Sequence, residues 1–88
     1  MTWNASTIKR KLYGTGFNMS KLKTIREEAK LSQSALSNLS GVSLRMIQKY
    51  ETRDRDINNA KAITVHKLAL ALNVYVEDIL EEVRDDRT

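Results

Sequence analysis

Two short runs with helical periodicity, Gln33 to Ser40 and Leu44 to Thr52, are separated only by Gly41, Val42 and Ser43. That spacing decides most of the fold. Glycine enters the left-handed conformation that ends a helix without steric cost, and serine is among the preferred residues for starting one. A helix that ends at Gly41 must therefore give way at once to a second helix capped by Ser43. Leu36 and Leu39 are expected to face inward from the first of this pair, and Ile47 and Tyr50 from the second. Val42 and Ile47 would fill the angle between them. Arg45, Gln48 and Lys49, at i, i+3 and i+4, would share the opposite, outer side.

The flanking sequence continues in the same style. Ser20 is a plausible cap for a preceding helix with Leu22, Ile25 and Ala29 at helical spacing and Glu27 and Glu28 on its outer face. After an irregular charged loop from Arg53 to Asn59, Val65, Leu68, Ala69 and Leu72 form a stripe that ends at Asn73, a residue tolerant of the left-handed position. Val76, Ile79, Leu80 and Val83 give a short last helix. Zero Pro and three Gly in 88 residues disfavour a turn-rich β fold, and zero Cys removes disulfides and thiolate metal sites. The expected architecture is an all-α, five-helix domain over residues 19–84, with an N-terminal extension (1–18) and an acidic tail (85–88). The extension reads either as a short helix from Asn4 to Leu12 followed by a Gly14–Gly16 hinge, or as a basic arm carrying Lys9, Arg10 and Lys11. Trp3, Tyr13 and Phe17 are expected to dock it on the body.

Charge is divided along the chain. Residues 1–53 hold ten Lys/Arg against three Asp/Glu, a balance of +7, whereas residues 54–88 hold five against eight, or −3. A polyanionic partner would meet the first half. No apolar run is long enough for a membrane span and the first twenty residues lack the apolar centre of a signal peptide, so no membrane association and a cytoplasmic location are expected. Enzymatic chemistry is not expected either, because the chain offers no Cys nucleophile, no Gly-rich phosphate loop and a single histidine. That residue, His66, reads as a half-buried position of the fourth helix rather than a ligand, and neither metal nor cofactor is expected.

The segment from Ser32 to Glu51, with Leu31 before it completing Leu-Ser-Gln and with Gly-Val-Ser and Ile-x-x-Tyr-Glu following in order, resembles the helix-turn-helix of the phage Cro/C1 repressor class, the XRE family. The similarity runs from about Ser20 to Leu80. It implies a repressor-like domain whose second and third helices form the helix-turn-helix, with helix 44–52 in the major groove. It further implies that Leu44, Arg45, Gln48 and Lys49 face base edges, that Gln33 bonds a phosphate, and that Arg26 and Glu51 form a partly buried structural ion pair. Ala35, Arg53, Asn73 and Tyr75 depart from the family pattern, which commonly has Glu, Gly, Gly and a Ser or Thr cap there. Arg53 is the costliest, since a left-handed non-glycine residue is strained by about 1 kcal/mol or more.

The function expected is that of a sequence-specific transcriptional regulator of phage or mobile-element type, a repressor acting as a homodimer on a double-stranded operator. Ser43, Arg53 and Arg55 would join Gln33 on phosphates, with Lys9, Arg10 and Lys11 as a possible arm. Leu44 is read as a thymine-methyl contact over local packing, and Met46 as a core-edge filler. Leu70 lies outside the fourth-helix stripe and would cover the N-terminal segment or meet a partner subunit. The dimer is expected to use Leu70, Tyr75, Ile79 and Val83, with Glu81, Glu82, Asp85 and Asp86 approaching their counterparts across the two-fold axis. The alternative is an antitoxin-type module that mainly binds a toxin and uses DNA for autoregulation.

Overall fold

Three serine hydroxyls start the first three helices. In the computed structural model, which describes residues 19–82, these are α1 (Lys21–Glu28), α2 (Gln33–Ser40) and α3 (Leu44–Thr52). Ser20 Oγ accepts from Lys23 N at 3.0 Å, Ser32 Oγ from Ala35 N at 3.0 Å and Ser43 Oγ from Met46 N at 3.2 Å. Each bond satisfies one of the amides that a helix start leaves without an internal partner. A 3-10 turn (Ile57–Asn59) leads into α4 (Ala62–Leu72), and α5 (Val76–Ile79) follows. Tyr75 provides no side-chain cap for α5; Asp78 Oδ2 instead accepts from the Tyr75 amide at 2.9 Å.

The second, third and fourth helices end on left-handed caps, and a left-handed residue follows the cap of the first. Gly41 (φ 79°) closes α2, Arg53 (φ 66°) α3 and Asn73 (φ 58°) α4, while Lys30 (φ 63°) follows the Ala29 cap of α1. Around Lys30 and Asn73 the chain doubles back in the same way. Leu31 N bonds Arg26 O at 3.2 Å and Val74 N bonds Ala69 O at 3.0 Å, so orphan carbonyls are satisfied without a side chain.

The helices close a ring. α1 packs on α3 and α5, α2 on α3 and α4, and α4 on α5. Leu22, Ile25, Leu36, Ile47, Leu68 and Ile79 meet inside it, joined by Val42, Tyr50, Val65, Ala69 and Leu72. Full burial of a Leu or Ile side chain is worth about 1.5–3 kcal/mol, and with no disulfide this cluster is the main source of stability. No described helix is long and apolar enough to cross a membrane.

Several expectations need correction. Leu39 is 62% exposed, because three residues of helix place it about 60° around from Leu36, past the edge that α3 and α4 cover. Ala29 is exposed as the cap of α1 rather than part of its stripe. His66 is exposed, since the buried face of α4 runs through Val65, Leu68, Ala69 and Leu72. Ile79 is 0% exposed and unavailable to a dimer: it is the one buried residue of α5, and it seals the core. Leu80 is an extended cap beyond α5. In the loop read as irregular, Asp56 Oδ1 accepts from Asn58 N at 2.9 Å and so sets the turn that buries Ile57 to 3% exposure. The expectations for residues 1–18, Val83, Asp85 and Asp86 lie outside the described residues.

Glu81 is also used differently from expectation. The Asn58 amide pairs with its backbone in both directions, Nδ2 donating to Glu81 O and Oδ1 accepting from Glu81 N, each at 2.9 Å. The Glu81 carboxylate then accepts from Lys21 N at the start of α1 (3.1 Å) and from Arg53 Nη2 (3.4 Å). This acid is thus spent inside the domain, clamping its last described residues to α1 and to the end of α3.

Candidate nucleic-acid interface

The turn between α2 and α3 is held from both sides. Gly41 N bonds Ser37 O at 2.9 Å, Ser37 Oγ donates to Val42 O at 2.7 Å, and Ser40 Oγ accepts from Val42 N at 3.0 Å. A Cβ on Gly41 would meet nothing within 4 Å, so glycine is required there by backbone conformation and not by crowding. Val42, 7% exposed, drops into the angle and fixes how α3 leaves α2.

With Ile47, Tyr50 and Glu51 buried, the opposite face of α3 is determined. Leu44, Arg45, Gln48 and Thr52 are exposed, and Lys49 is half-buried at the margin. Among the described residues no ion pair engages Arg45 or Lys49, so no internal carboxylate competes for either charge. Thr52 contributes less than its exposure suggests, because its hydroxyl bonds back to Gln48 O at 3.0 Å. Met46 is half-buried against the core. Of the residues expected on phosphates, Ser43 and Arg55 are exposed, Gln33 is half-buried, and Arg53 reaches back to Met19 O at 3.1 Å and to Glu81.

Beneath this face lies a buried ion pair. Arg26 Nε donates to Glu51 Oε2 at 2.7 Å and Nη2 to Oε1 at 3.0 Å, the two-pronged arrangement that guanidinium and carboxylate favour. Their side chains are 9% and 2% exposed. Arg26 Nη1 also donates to Leu31 O at 2.7 Å, fastening the end of α1. The hydrogen bond with Glu51 outweighs the cost of burial and holds the Arg26 guanidinium above the ordinary arginine range.

The pair does not stop at two residues. Gln33 Nε2 donates to Glu51 Oε1 at 2.9 Å, and Gln48 Nε2 donates to Gln33 Oε1 at 3.4 Å. A chain of side chains therefore runs from the core to the outer face of α3. The link between Gln33 and Gln48 escapes sequence reasoning, since each is an ordinary polar residue in its own helix. The only available signal is an amide at the first position of α2 in a chain that also has one in the middle of α3. Among the described residues no buried side-chain nitrogen or oxygen lacks a partner.

Compared with known proteins, the chain matches no curated protein. It does match the helix-turn-helix family model over residues 22–79, which takes in all five helices except the first residue of α1. The matched span covers most of the chain, and the chain belongs to the Cro/C1-type helix-turn-helix (XRE) family of DNA-binding regulators.

Proposed function

We propose that this regulator is a sequence-specific repressor of phage or mobile-element type that reads the major groove with α3. The observation that carries the reading is the exposed face of α3 itself: Leu44, Arg45 and Gln48 stand clear of the core behind an N-cap that the turn holds in place. Arg45 suits guanine, whose major-groove edge presents two acceptors, and Leu44 suits a thymine methyl. Lys49 flanks this strip. Ser43, Arg55 and the outer side of Gln33 supply phosphate contacts, which position the helix without specifying sequence.

One α3 covers only a few base pairs, so operator discrimination calls for two copies, with half-sites about 34 Å apart. The surface that supports a homodimer is the outer side of α4 and the end of α5. Ile63, Leu70 and Tyr75 are 55%, 66% and 78% exposed. Ile63 also lines an open, mainly apolar groove of about 560 Å³ together with Ala62, Val65, His66, Val76 and Leu80. Ile63 and Leu70 lie seven residues apart and so share one side of α4. Joining two molecules there leaves both α3 faces free.

The test is a competition titration with single-base variants of a duplex selected from random sequence. Arg45→Ala should flatten preference at one base position and cost about 1–3 kcal/mol there. An unchanged preference profile would remove Arg45 from the readout.

A further inference from the structure

We propose that the open groove between α4 and α5 is the seat of the chain's own N-terminal segment, residues 1–18, with Tyr13 and Phe17 in the groove and Lys9, Arg10 and Lys11 along its acidic wall. This intramolecular contact does not depend on the DNA-reading role of α3. It assigns the end of α4 at Ile63 to the segment and leaves Leu70 and Tyr75 to a second copy.

The groove is built from both helices. Val76 and Leu80 lie four residues apart, with Leu80 N bonded to Val76 O at 3.3 Å, and so share one side of α5. Ile63, Val65 and His66 line the other side, from the first two turns of α4. Ile63 stays 55% exposed, and Val76 and Leu80 are half-buried. A volume of about 560 Å³ lies within the range of sites that enclose a drug-sized molecule, which gives room for two aromatic rings. An apolar concavity left in water gains free energy from an apolar group that can reach it.

Position selects the occupant. The described chain starts at Met19, whose carbonyl accepts from Arg53 Nη2 at 3.1 Å, and two residues on Lys21 N bonds Glu81 Oε2 at 3.1 Å. Glu81 directly follows Leu80, so residues 1–18 leave the domain beside the wall of the groove. Extended chain covers at most about 3.3–3.6 Å per residue, which gives Phe17 a reach of about 7 Å from Met19 and Tyr13 about 20 Å. A tethered segment also acts at a high effective concentration, an advantage that no separate molecule has.

Charge selects the same segment. Residues 1–18 carry Lys9, Arg10 and Lys11 and no acid, whereas residues 74–82 carry Glu77, Asp78, Glu81 and Glu82 and no base. Glu81 is taken by Lys21 and Arg53, and Asp78 by the Tyr75 amide. Glu77 and Glu82 are exposed and engage in no ion pair among the described residues. The α4 wall carries Lys61 and Lys67 instead, which directs the basic stretch to the α5 side. Exposed pairs are weak, so the rings supply most of the attraction and the charges set the orientation.

The experiment is methyl NMR on the full 88-residue chain without DNA, so its outcome is independent of the role proposed for α3. Cross-relaxation should link the rings of Tyr13 and Phe17 to the methyl groups of Ile63, Val76 and Leu80. In the double variant Tyr13→Ala, Phe17→Ala these cross-peaks should vanish and the three groove methyl signals should move, while those of the core residues Leu22 and Leu36 stay in place. Glu77→Lys with Glu82→Lys, both at exposed positions, should lower the docking constant about fivefold or more, read from the same methyl shifts. Groove methyl signals that do not respond to the loss of Tyr13 and Phe17 overturn the proposal, as does charge reversal without effect. In a mixture of labelled and unlabelled chains, cross-peaks that arise only between molecules identify a second copy as the occupant and also overturn it. Absence of ring-to-methyl cross-peaks in the wild type is decisive without any variant.

Discussion

Replacing Glu51 with Ala is the most informative single perturbation of this fold. The Glu51 carboxylate accepts from Arg26 Nε at 2.7 Å, Arg26 Nη2 at 3.0 Å and Gln33 Nε2 at 2.9 Å. Its loss strands a guanidinium whose side chain is only 9% exposed. Breaking a buried pair on one side costs about 3–5 kcal/mol, mostly for the charge left behind. Two partners soften this: Leu31 O stays at 2.7 Å from Nη1, and Glu27, 3.9 Å from Nη2, is a surface acid worth about 0–1 kcal/mol. The expected loss is therefore about 3 kcal/mol, which at a urea slope of about 1–1.5 kcal/mol/M moves the unfolding midpoint down by about 2–3 M. The double variant Arg26→Met, Glu51→Leu removes both charges and should recover most of that loss. Because the pair is buried, added salt should change neither result. The sign with pH is also set: Arg26 is held above its ordinary range, so its contribution is complete at neutral pH and is lost only as the solution passes through extreme alkalinity. A loss below about 1 kcal/mol for Glu51→Ala, or a double variant that costs the sum of its singles, would refute the reasoning.

Two further outcomes test the frame around the interface. Lys30→Gly should stabilise the domain by roughly 0.5 kcal/mol in thermal unfolding, because relief of the left-handed strain at φ 63° exceeds the entropy glycine adds to the unfolded chain. Asn58→Ala should cost about 1–3 kcal/mol in urea unfolding, since it leaves both backbone groups of Glu81 without their partner.

The parts legible in the sequence are those whose chemistry is local. Ser32, Gly41 and Ser43 each declare a helix end within four residues, and the caps and left-handed φ at these positions follow the same rule. The stripe of α4 is equally plain, because Val65, Leu68, Ala69 and Leu72 repeat at the helical period. Ile57 gave no such sign: a lone apolar residue among Asp and Asn has no period, and its burial depends on a turn set by Asp56. Leu39 misled for the opposite reason, since i, i+3 spacing is compatible with either the face or the rim of a helix as short as α2. The exposed face of α3 is legible in its periodicity, but the bonds that join Gln48 to Gln33 and Gln33 to Glu51 are not. They join residues 15 and 18 positions apart across a tertiary contact, where no local pattern reports on them.

The clamp at Glu81 divides the molecule in time as well as in space. It joins Glu81 to Asn58 across 23 residues and to Lys21 across 60, whereas the contacts that hold α2 to α3 span 18 or fewer. Closing a loop of 60 residues costs about 1 kcal/mol more than closing one of 18, so the corner where the two ends of the described chain meet is expected to be the last to zip and the first to breathe. Its opening releases Arg53 and the start of α1 but leaves the capped pair α2 and α3 packed on α4. The unit that carries the exposed face of α3 is thus insulated from the opening of that corner.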